Sequence, residues 1–465
     1  MDPVLLARIQ FAMTVGFHFI FPAITIGLGL MVAIMETLRW RTGRELYDRM
    51  AVFWTKLFAL TFAVGVATGI VMEFQFGTNW SRYSTFVGDI FGAPLAAEGV
   101  LAFFLESSFL GILLFGRNRV GSTLRWAAAI LVALGATLSA FWIIVANSWM
   151  QTPAGYEVVG NKAVLNDFGA AVFNASTLPR YFHTVAAAWA TGSFLVVGIA
   201  AWYLLRGRHR DVALASIKLG LGVAVVASAL MFLTGDTHAR QVAETQPAKF
   251  AAMQGLYDTT TGAPMVIFSL PPTEGAATGG PELVVTRLLS FLTWGDFNAT
   301  VTGLADVPRE EWPPVTATFL TYHNMVVLGT IMLLVMLGGS YAWWRGRLGT
   351  SRRWLWLAVA ATPAPLIATQ LGWATAEVGR QPWIVYGLMR TRDATSPVVS
   401  APEILASIIV FALIYLMLGG LWLFLMRREI LAGPAPGPIP EEEMEPGAIE
   451  APAGRLAPAG GLSDA

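Results

Sequence analysis

Nine long apolar stretches constrain this chain more than any other feature of its sequence. A helix needs about 20 mostly apolar residues to cross the hydrocarbon core of a membrane, and only helices or closed barrels satisfy their backbone hydrogen bonds in lipid. The stretches lack the alternation that barrel strands show, so the sequence predicts an all-α, polytopic helical bundle. The predicted membrane spans are at about residues 9–36, 51–76, 93–116, 125–148, 181–205, 214–235, 317–344, 354–377 and 402–426.

The composition agrees with a membrane protein and excludes several kinds of site. Hydrophobic residues make up 55% of the chain and charged residues only 13%, roughly half the charged share of a soluble domain. The 30 basic and 30 acidic residues balance, so no basic field is present to attract nucleic acid. The absence of cysteine excludes disulfides, thiolate metal sites, iron–sulfur clusters and covalent c-type haem.

Arginines in the short loops predict the orientation of the bundle. The loops after the first, third, fifth, seventh and ninth spans each carry at least two arginines, and the intervening loops are poorer in positive charge. An excess of Lys and Arg in short loops marks the cytoplasmic side. We therefore expect the N-terminus outside and the C-terminus in the cytoplasm.

Two segments lie outside the predicted bundle. Residues 236–316 are too long for a simple connector, and loops of this length are usually functional or disordered. Residues 431–465 are rich in Pro, Gly and Ala and carry a run of glutamates, which is typical of a disordered, solvated tail. We therefore expect one transmembrane domain over 1–430, with an outer loop at 236–316.

Ionisable and thioether side chains inside the predicted spans are the candidate functional residues, because such groups are costly in hydrocarbon. The candidates, all in the outer halves of their spans, are His18, Glu98, His183, Met325 and Glu377. A histidine with a methionine is a low-spin haem pair, and a single histidine or carboxylate leaves a coordination position open. Haem is therefore the leading interpretation. The alternatives are a haem-free transporter with intramembrane carboxylates and a haem b electron-transfer anchor.

Glu106 is a second carboxyl on the predicted span that carries Glu98. It lies eight residues further along, which on an ideal helix is ~12 Å nearer the cytoplasm and ~80° around the axis. Two carboxyls staggered in this way can pass protons inward from the cytoplasmic surface. The alternative is that Glu106 simply forms a hydrogen bond to a neighbouring helix.

These residues lie in stretches that resemble subunit I of the cytochrome bd-type quinol oxidases, over nearly all of residues 1–430. The stretches are MEFQFGTNWSRYSTFVGDIFGAPLAAEGVLAFFLES from Met72, ANSWMQTPAGYEV from Ala146, GWATAEVGRQPW from Gly372, RIQFAMTVGFHF around His18 and FHTVAAAWATG around His183. The resemblance implies a multi-pass subunit of the bacterial cytoplasmic (inner) membrane. Its activity would oxidise quinol at the outer face and reduce O₂ to water with cytoplasmic protons, building a proton-motive force without pumping.

The resemblance also implies three haems and assigns their ligands. His183 and Met325 match the axial ligands of a low-spin haem b. His18 and Glu377 match ligands of the two haems at the oxygen-reducing site, a high-spin haem b and a haem d or a further haem b. Glu98 matches a residue on or beside these haems.

The resemblance also implies roles for three further residues. Glu106 matches a residue assigned to proton delivery, and Trp373 falls among the cofactor-binding residues. Arg380 either neutralises a haem propionate or helps to close the loop after the eighth span, and we favour the propionate.

The outer loop resembles the family's quinol-binding loop in its short form. Lys249 falls on a position implicated in quinol oxidation, but five residues later, where the family usually has glutamate, this chain has Gln254. A glutamine cannot accept a proton, so either another carboxylate such as Glu244 takes that role or the loop aligns differently. The family further implies ubiquinol or menaquinol and O₂ as substrates, a second membrane subunit (subunit II), and small single-span accessory subunits as additional partners in the bilayer.

Overall fold

The structure is a computed structural model that describes residues 2–268 and 283–436. Within these ranges eight helical segments are long and apolar enough to cross a membrane, which confirms the prediction of an all-α, polytopic membrane bundle. The predicted acidic tail, 431–465, falls from residue 437 onward outside the described residues.

Fifteen helices make up most of the described chain. They are α1 (Pro3–His18), α2 (Ile20–Thr42), α3 (Glu45–Thr78), α4 (Ser81–Ala97), α5 (Phe104–Phe115), α6 (Ser122–Gln151), α7 (Phe168–Val172), α8 (Thr177–Leu205), α9 (Arg210–Thr245), α10 (Pro247–Gln254), α11 (Leu288–Trp294), α12 (Val315–Trp344), α13 (Arg352–Ala360), α14 (Ala364–Val378) and α15 (Ala401–Ala432).

Short antiparallel strand pairs occupy the connections between helices. The strands are β1 (Tyr156–Val159), β2 (Lys162–Leu165), β3 (Thr260–Thr261), β4 (Met265–Phe268), β5 (Leu283–Val285), β6 (Thr300–Val301), β7 (Trp383–Val385) and β8 (Met389–Arg390). They pair as β1 with β2, β3 with β6, β4 with β5, and β7 with β8.

Two predicted spans are interrupted helices, and proline accounts for both interruptions. The first span divides at Phe19 into α1 and α2. Pro22 has no N–H to donate to the carbonyl of His18, four residues earlier, so the helical hydrogen bonding fails at this point. The eighth span divides into α13 and α14 immediately before Pro363. Because the first span is interrupted at Phe19, His18 lies at the end of a helix.

The predicted span at 93–116 is the later part of one continuous helical run from Ser81 to Phe115. A π turn over Glu98–Phe103 joins α4 to α5 in this run. Within this run, α5 (Phe104–Phe115) is apolar, but it is shorter than the eight segments that are long enough to cross a membrane.

Close packing of α2 against α8 forms the centre of the bundle. α8 is the most buried of the spanning helices and packs against α2, α6, α9 and α13. At Gly27 and Gly192 the two backbones touch, because a Cβ on either glycine would overlap backbone atoms of the other helix. Small residues allow this close approach between membrane helices. The contact places the α1–α2 segment and α8 on opposite sides of one cavity in the bundle.

Buried ion pairs connect α2, α3 and α6 at the end of the bundle that we predict to be cytoplasmic. Glu36 is 1% exposed, accepts a hydrogen bond from Arg39 at 2.6 Å and forms an ion pair with Arg125 at 2.6 Å. Arg125 also binds Asp48 at 2.7 Å. A buried charge is tolerated when it is paired in this way, so the cluster fixes these three helix ends relative to one another.

The segment predicted as an outer loop begins later than expected. α9 continues to Thr245, ten residues beyond the predicted end of its span at 235. α10 follows at once, and the rest of the segment holds β3 to β6 and α11. His238, interpreted from sequence as a solvated loop residue, therefore lies on a helix.

Candidate cofactor cavity

A cavity of about 1720 Å³ runs through the described part of the bundle, between the α1–α3 side and the α8–α9 side. Glu244 does not line it and is exposed on α9, so this carboxylate is not placed to substitute for the family's glutamate. Every other predicted site residue lines the cavity: His18, Glu98, Glu106, His183, Lys249, Gln254, Met325, Trp373, Glu377 and Arg380.

His18 is held by α3. Its Nδ1 lies 3.0 Å from the hydroxyl of Thr68, and its ring packs against Gly69, where a Cβ would come within 3.2 Å of the ring. The ring lines the cavity, and no side chain of the described ranges forms a hydrogen bond with Nε2. The ring therefore presents a nitrogen to the cavity from a fixed position.

His183 is held in the same way by α9. Its Nδ1 lies 3.1 Å from the hydroxyl of Thr234, and a Cβ on Gly235 would come within 3.3 Å of the ring. Within the described chain its Nε2 likewise has no hydrogen-bond partner. Both histidines can therefore act as axial ligands to a metal in the cavity.

Met325 lies on α12 and turns its sulfur toward α14. A Cβ on Gly372 would come within 2.9 Å of the sulfur, so only glycine leaves room for the thioether there. Met325 and His183 line the same cavity from different helices, and a thioether with an imidazole is a suitable axial pair for a low-spin haem.

Glu377 lies in the last turn of α14, inside a network of polar side chains. One carboxylate oxygen accepts from Asn147 at 2.9 Å, and the other accepts from Arg380 at 2.5 Å. Arg180, on α8, donates to the same Asn147. The carboxylate is thus held between α6, α8 and the loop after α14 with its remaining lone pairs available.

Arg380 has unused donors beside this network. It is 4% exposed and lines the cavity, but its Nε and one terminal nitrogen lack a partner among residues 2–268 and 283–436. Buried donors left without partners cost about 1–3 kcal/mol or more each. They therefore indicate a place for an anionic group, and a haem propionate has the right charge.

The π turn brings Glu98 and Glu106 onto one face. A π turn absorbs one extra residue. The eight-residue step from Glu98 to Glu106 therefore turns the chain about as far as a seven-residue step in an α-helix, ~700°. The two side chains then differ by ~20° instead of the ~80° expected for an ideal helix. Glu98 accepts from Ser139 at 2.9 Å, whereas a buried oxygen of Glu106 has no partner among the described residues.

Lys249 projects from α10 into the cavity wall. Its amine donates to Oε1 of Gln151 and to the carbonyl of Ala376, both at 3.0 Å. Burial, together with the nearby positive charge of Arg180, holds the pKa of Lys249 well below its usual range. Two positions on the amine are used in these hydrogen bonds, so one position remains for a ligand in the cavity.

Gln254 lies at the end of α10, on the same side of the cavity. Its amide nitrogen donates to the hydroxyl of Tyr322 at 3.4 Å, and its buried carbonyl oxygen lacks a partner in the described chain. That oxygen can accept a hydrogen bond from a ligand hydroxyl, although it cannot take up a proton.

The sequence reasoning missed three residues that line the cavity, Arg180, Glu73 and His238, and two threonines that contact its histidines, Thr68 and Thr234. Arg180 precedes His183 by one helical turn, and Glu73 lies within the quoted MEFQFG stretch, so a count of charges in the predicted spans would have found both. His238, whose ring centroid is 6.2 Å from that of His183, was assigned to a loop. Thr68 and Thr234 were passed over because a hydroxyl on a membrane helix is common.

The residues that line the cavity fit haem. The fit rests on two imidazoles with free Nε2 atoms, a thioether opposite a glycine, and a buried guanidinium with unused donors. Across the described ranges no three His, Asp or Glu side chains converge on a site for a bare metal ion. The ligands instead come singly from separate helices, as a porphyrin iron requires.

Known proteins are similar to this chain over nearly its whole length. The model of the family described as cytochrome bd terminal oxidase subunit I matches residues 6–434. Cytochrome bd ubiquinol oxidase subunit 1 of Bacillus subtilis is 42% identical over 443 residues, 93% of this chain and 94% of the relative. Cytochrome bd-II ubiquinol oxidase subunit 1 of Escherichia coli is 34% identical, over 93% and 97%. The bd oxidase structure from Geobacillus thermodenitrificans matches with a TM-score of 0.87 at 32% identity, over 93% of this chain and 99% of that one.

Proposed function

The chain belongs to the cytochrome bd terminal oxidase subunit I family, and on that basis we propose that it oxidises quinol and reduces O₂ to water in a bacterial cytoplasmic membrane. The observation that carries this proposal is the convergence of His18, His183, Met325 and Glu377 on one cavity, beside the unused donors of Arg380. A haem-free transporter has no need of two imidazoles with free Nε2 atoms in an apolar cavity.

The proposed ligands divide between two haem environments. His183 and Met325 would hold a low-spin haem b. His18 and Glu377 would hold a high-spin haem b and a haem d or further haem b, with Glu98 and Trp373 among the residues that line the cavity. When bound, these groups supply electron transfer and the open coordination position at which O₂ is reduced.

Quinol binds where α10 meets the cavity. The amine of Lys249 is held by Gln151 and Ala376 with one position free, and in its neutral form it accepts from a quinol hydroxyl. The free carbonyl oxygen of Gln254 is a second acceptor on the same side. The two side chains thereby orient the quinol ring near His183.

Protons for oxygen reduction reach the cavity from the cytoplasm by way of Glu106 and Glu98. Glu106 lies on the same face as Glu98, and its buried carboxyl oxygen has no partner among the described residues. A proton held at Glu106 therefore has a carboxyl acceptor nearer the outer half of the membrane. Quinol protons leave outside and consumed protons enter from inside, and each charge moved stores ~2.3 kcal/mol per 100 mV without a pump.

The complex contains further chains. We propose a second membrane subunit, subunit II, packed on the lipid-facing side of this chain, with small single-span subunits as additional partners. The quinol is ubiquinol or menaquinol, taken from the bilayer.

Oxygen consumption by the purified complex tests this function. We expect quinol-dependent O₂ uptake together with haem absorption and a pyridine haemochrome spectrum that contains protohaem. A colourless, inactive complex contradicts the proposal in favour of a transporter. A pigmented complex that reduces no O₂ with quinol would instead identify an electron-transfer anchor.

A further inference from the structure

Two threonines on different helices make the same pair of hydrogen bonds. Thr68 on α3 lies 3.0 Å from Nδ1 of His18, and its hydroxyl donates to the carbonyl of Val64 at 2.9 Å. Thr234 on α9 lies 3.1 Å from Nδ1 of His183, and its hydroxyl donates to the carbonyl of Leu230 at 2.7 Å.

This geometry fixes the tautomer of each imidazole. A threonine hydroxyl has one hydrogen, and backbone carbonyls of its own helix take it, those of Val64 and Gly65 for Thr68 and that of Leu230 for Thr234. The hydroxyl can then only accept from the ring, so Nδ1 of His18 and of His183 carries the hydrogen. In a neutral ring Nε2 is consequently the unprotonated nitrogen, which is the atom that can bind iron.

A glycine directly after each threonine completes the arrangement. Gly69 follows Thr68 and Gly235 follows Thr234, and a Cβ on either would lie within 3.3 Å of the ring that the threonine binds. Each imidazole therefore packs closely against the neighbouring helix at the position where that helix has no side chain. The same Thr-Gly pair thus serves both rings.

We propose that Thr68 and Thr234 are positioning residues that set the orientation and the basicity of the two imidazole haem ligands. This inference rests on the proposed function, since it requires haem on His18 and His183. A hydrogen bond accepted from Nδ1–H raises the basicity of the ring and its affinity for iron. It also favours the ferric state, because it gives the ring more negative character.

Substituting each threonine with valine tests the proposal, since valine has nearly the same shape and no hydroxyl. Thr234→Val is expected to raise the midpoint potential of the low-spin haem and to weaken its retention by about tenfold or more. The spectrum and potential of the high-spin haem on His18 should stay as in the wild type. Thr68→Val is expected to raise the midpoint potential of the haem on His18 in the same way and to leave the low-spin haem unchanged. Redox titration of the isolated complex, followed in the visible spectrum, measures both.

Two matched variants separate positioning from packing. Thr234→Ser and Thr68→Ser keep the hydroxyl and should restore the wild-type potentials. Thr191→Val on α8 removes a buried hydroxyl that donates only to the carbonyl of Ala187, so it should leave both potentials unchanged. If a valine variant fails to assemble, the alanine variant at the same position is compared with the serine variant.

Valine variants with full haem content and unchanged potentials would overturn the inference. An equal shift in Thr191→Val or in the serine variants would overturn it as well, because the effect would then not depend on the hydroxyl beside the ring. A wild-type complex without haem refutes the proposed function itself, whereas haem that is insensitive to these hydroxyls refutes only this inference.

Discussion

At the scale of single residues, the polar groups of the cavity divide into those with partners and those without. The carboxylate of Glu377 accepts from two side chains, whereas Glu106, Gln254 and Arg380 keep buried atoms that have no partner in the described chain. Each unsatisfied atom lowers stability, so these atoms are expected where a ligand, a proton or a second subunit completes the site.

Glu106 is expected to carry protons without holding a cofactor. Glu106→Gln keeps the size of the side chain and removes its capacity to take up a proton. We expect oxygen consumption to fall at least tenfold while the haem content, measured by pyridine haemochrome, stays at the wild-type level. Full turnover in this variant would show that another route delivers the protons.

Lys249 is expected to make quinol binding depend on pH. Burial lowers its pKa, so the amine is protonated below the lowered pKa and neutral above it, in a range where an ordinary lysine is still charged. The KM for quinol should therefore fall as pH rises through a transition well below the usual lysine pKa. Lys249→Arg stays protonated and should lose that transition. The same pH profile in both proteins would exclude this role.

At the scale of helices, the contact between α2 and α8 determines the width of the cavity. The two backbones touch at Gly27 and Gly192, and α8 carries His183 while α2 continues from the helix that ends in His18. A side chain at this crossing would push the two helices apart and separate the ligands.

Gly192→Ala is therefore expected to destabilise the protein. The added methyl group would overlap the backbone of α2, and overpacking of this kind costs about 1–3 kcal/mol. Thermal unfolding in detergent should show a lowered midpoint. Gly222→Ala on α9, where a Cβ would meet no atom within 4 Å, is the matched control and should be neutral or slightly stabilising. Equal effects in the two variants would contradict the account of this crossing.

Elements that depend on local pattern were predictable from the sequence, and those that depend on a neighbouring helix were not. Apolar length predicted most of the spanning segments, and the quoted stretches supplied the candidate ligands. The rotation between Glu98 and Glu106 was misjudged, because a π turn leaves no apolar signature. His238 was misassigned because α9 extends ten residues past its apolar run. The roles of Thr68 and Thr234 need the position of a second helix, which composition does not encode.

At the scale of the whole molecule, the distribution of arginines predicts which side supplies protons. If the N-terminus is outside, the cavity residues of α10 face the outside and Glu106 faces the cytoplasm. Complexes reconstituted into vesicles in one orientation should release protons on the Lys249 side and consume them on the side of the arginine-rich loops. A pH-sensitive dye trapped in the vesicles measures this. Release and uptake on the same side would contradict the proposed charge separation.

The central claim is that His183 and Met325 would together hold one haem iron. Met325→Leu keeps the bulk of the side chain and removes the sulfur, so the account predicts that the low-spin haem becomes high-spin, with its sharp reduced α-band lost. The reduced-minus-oxidised spectrum of the purified variant, compared with that of the wild type, measures this directly. An unchanged low-spin spectrum with full haem content would contradict the claim.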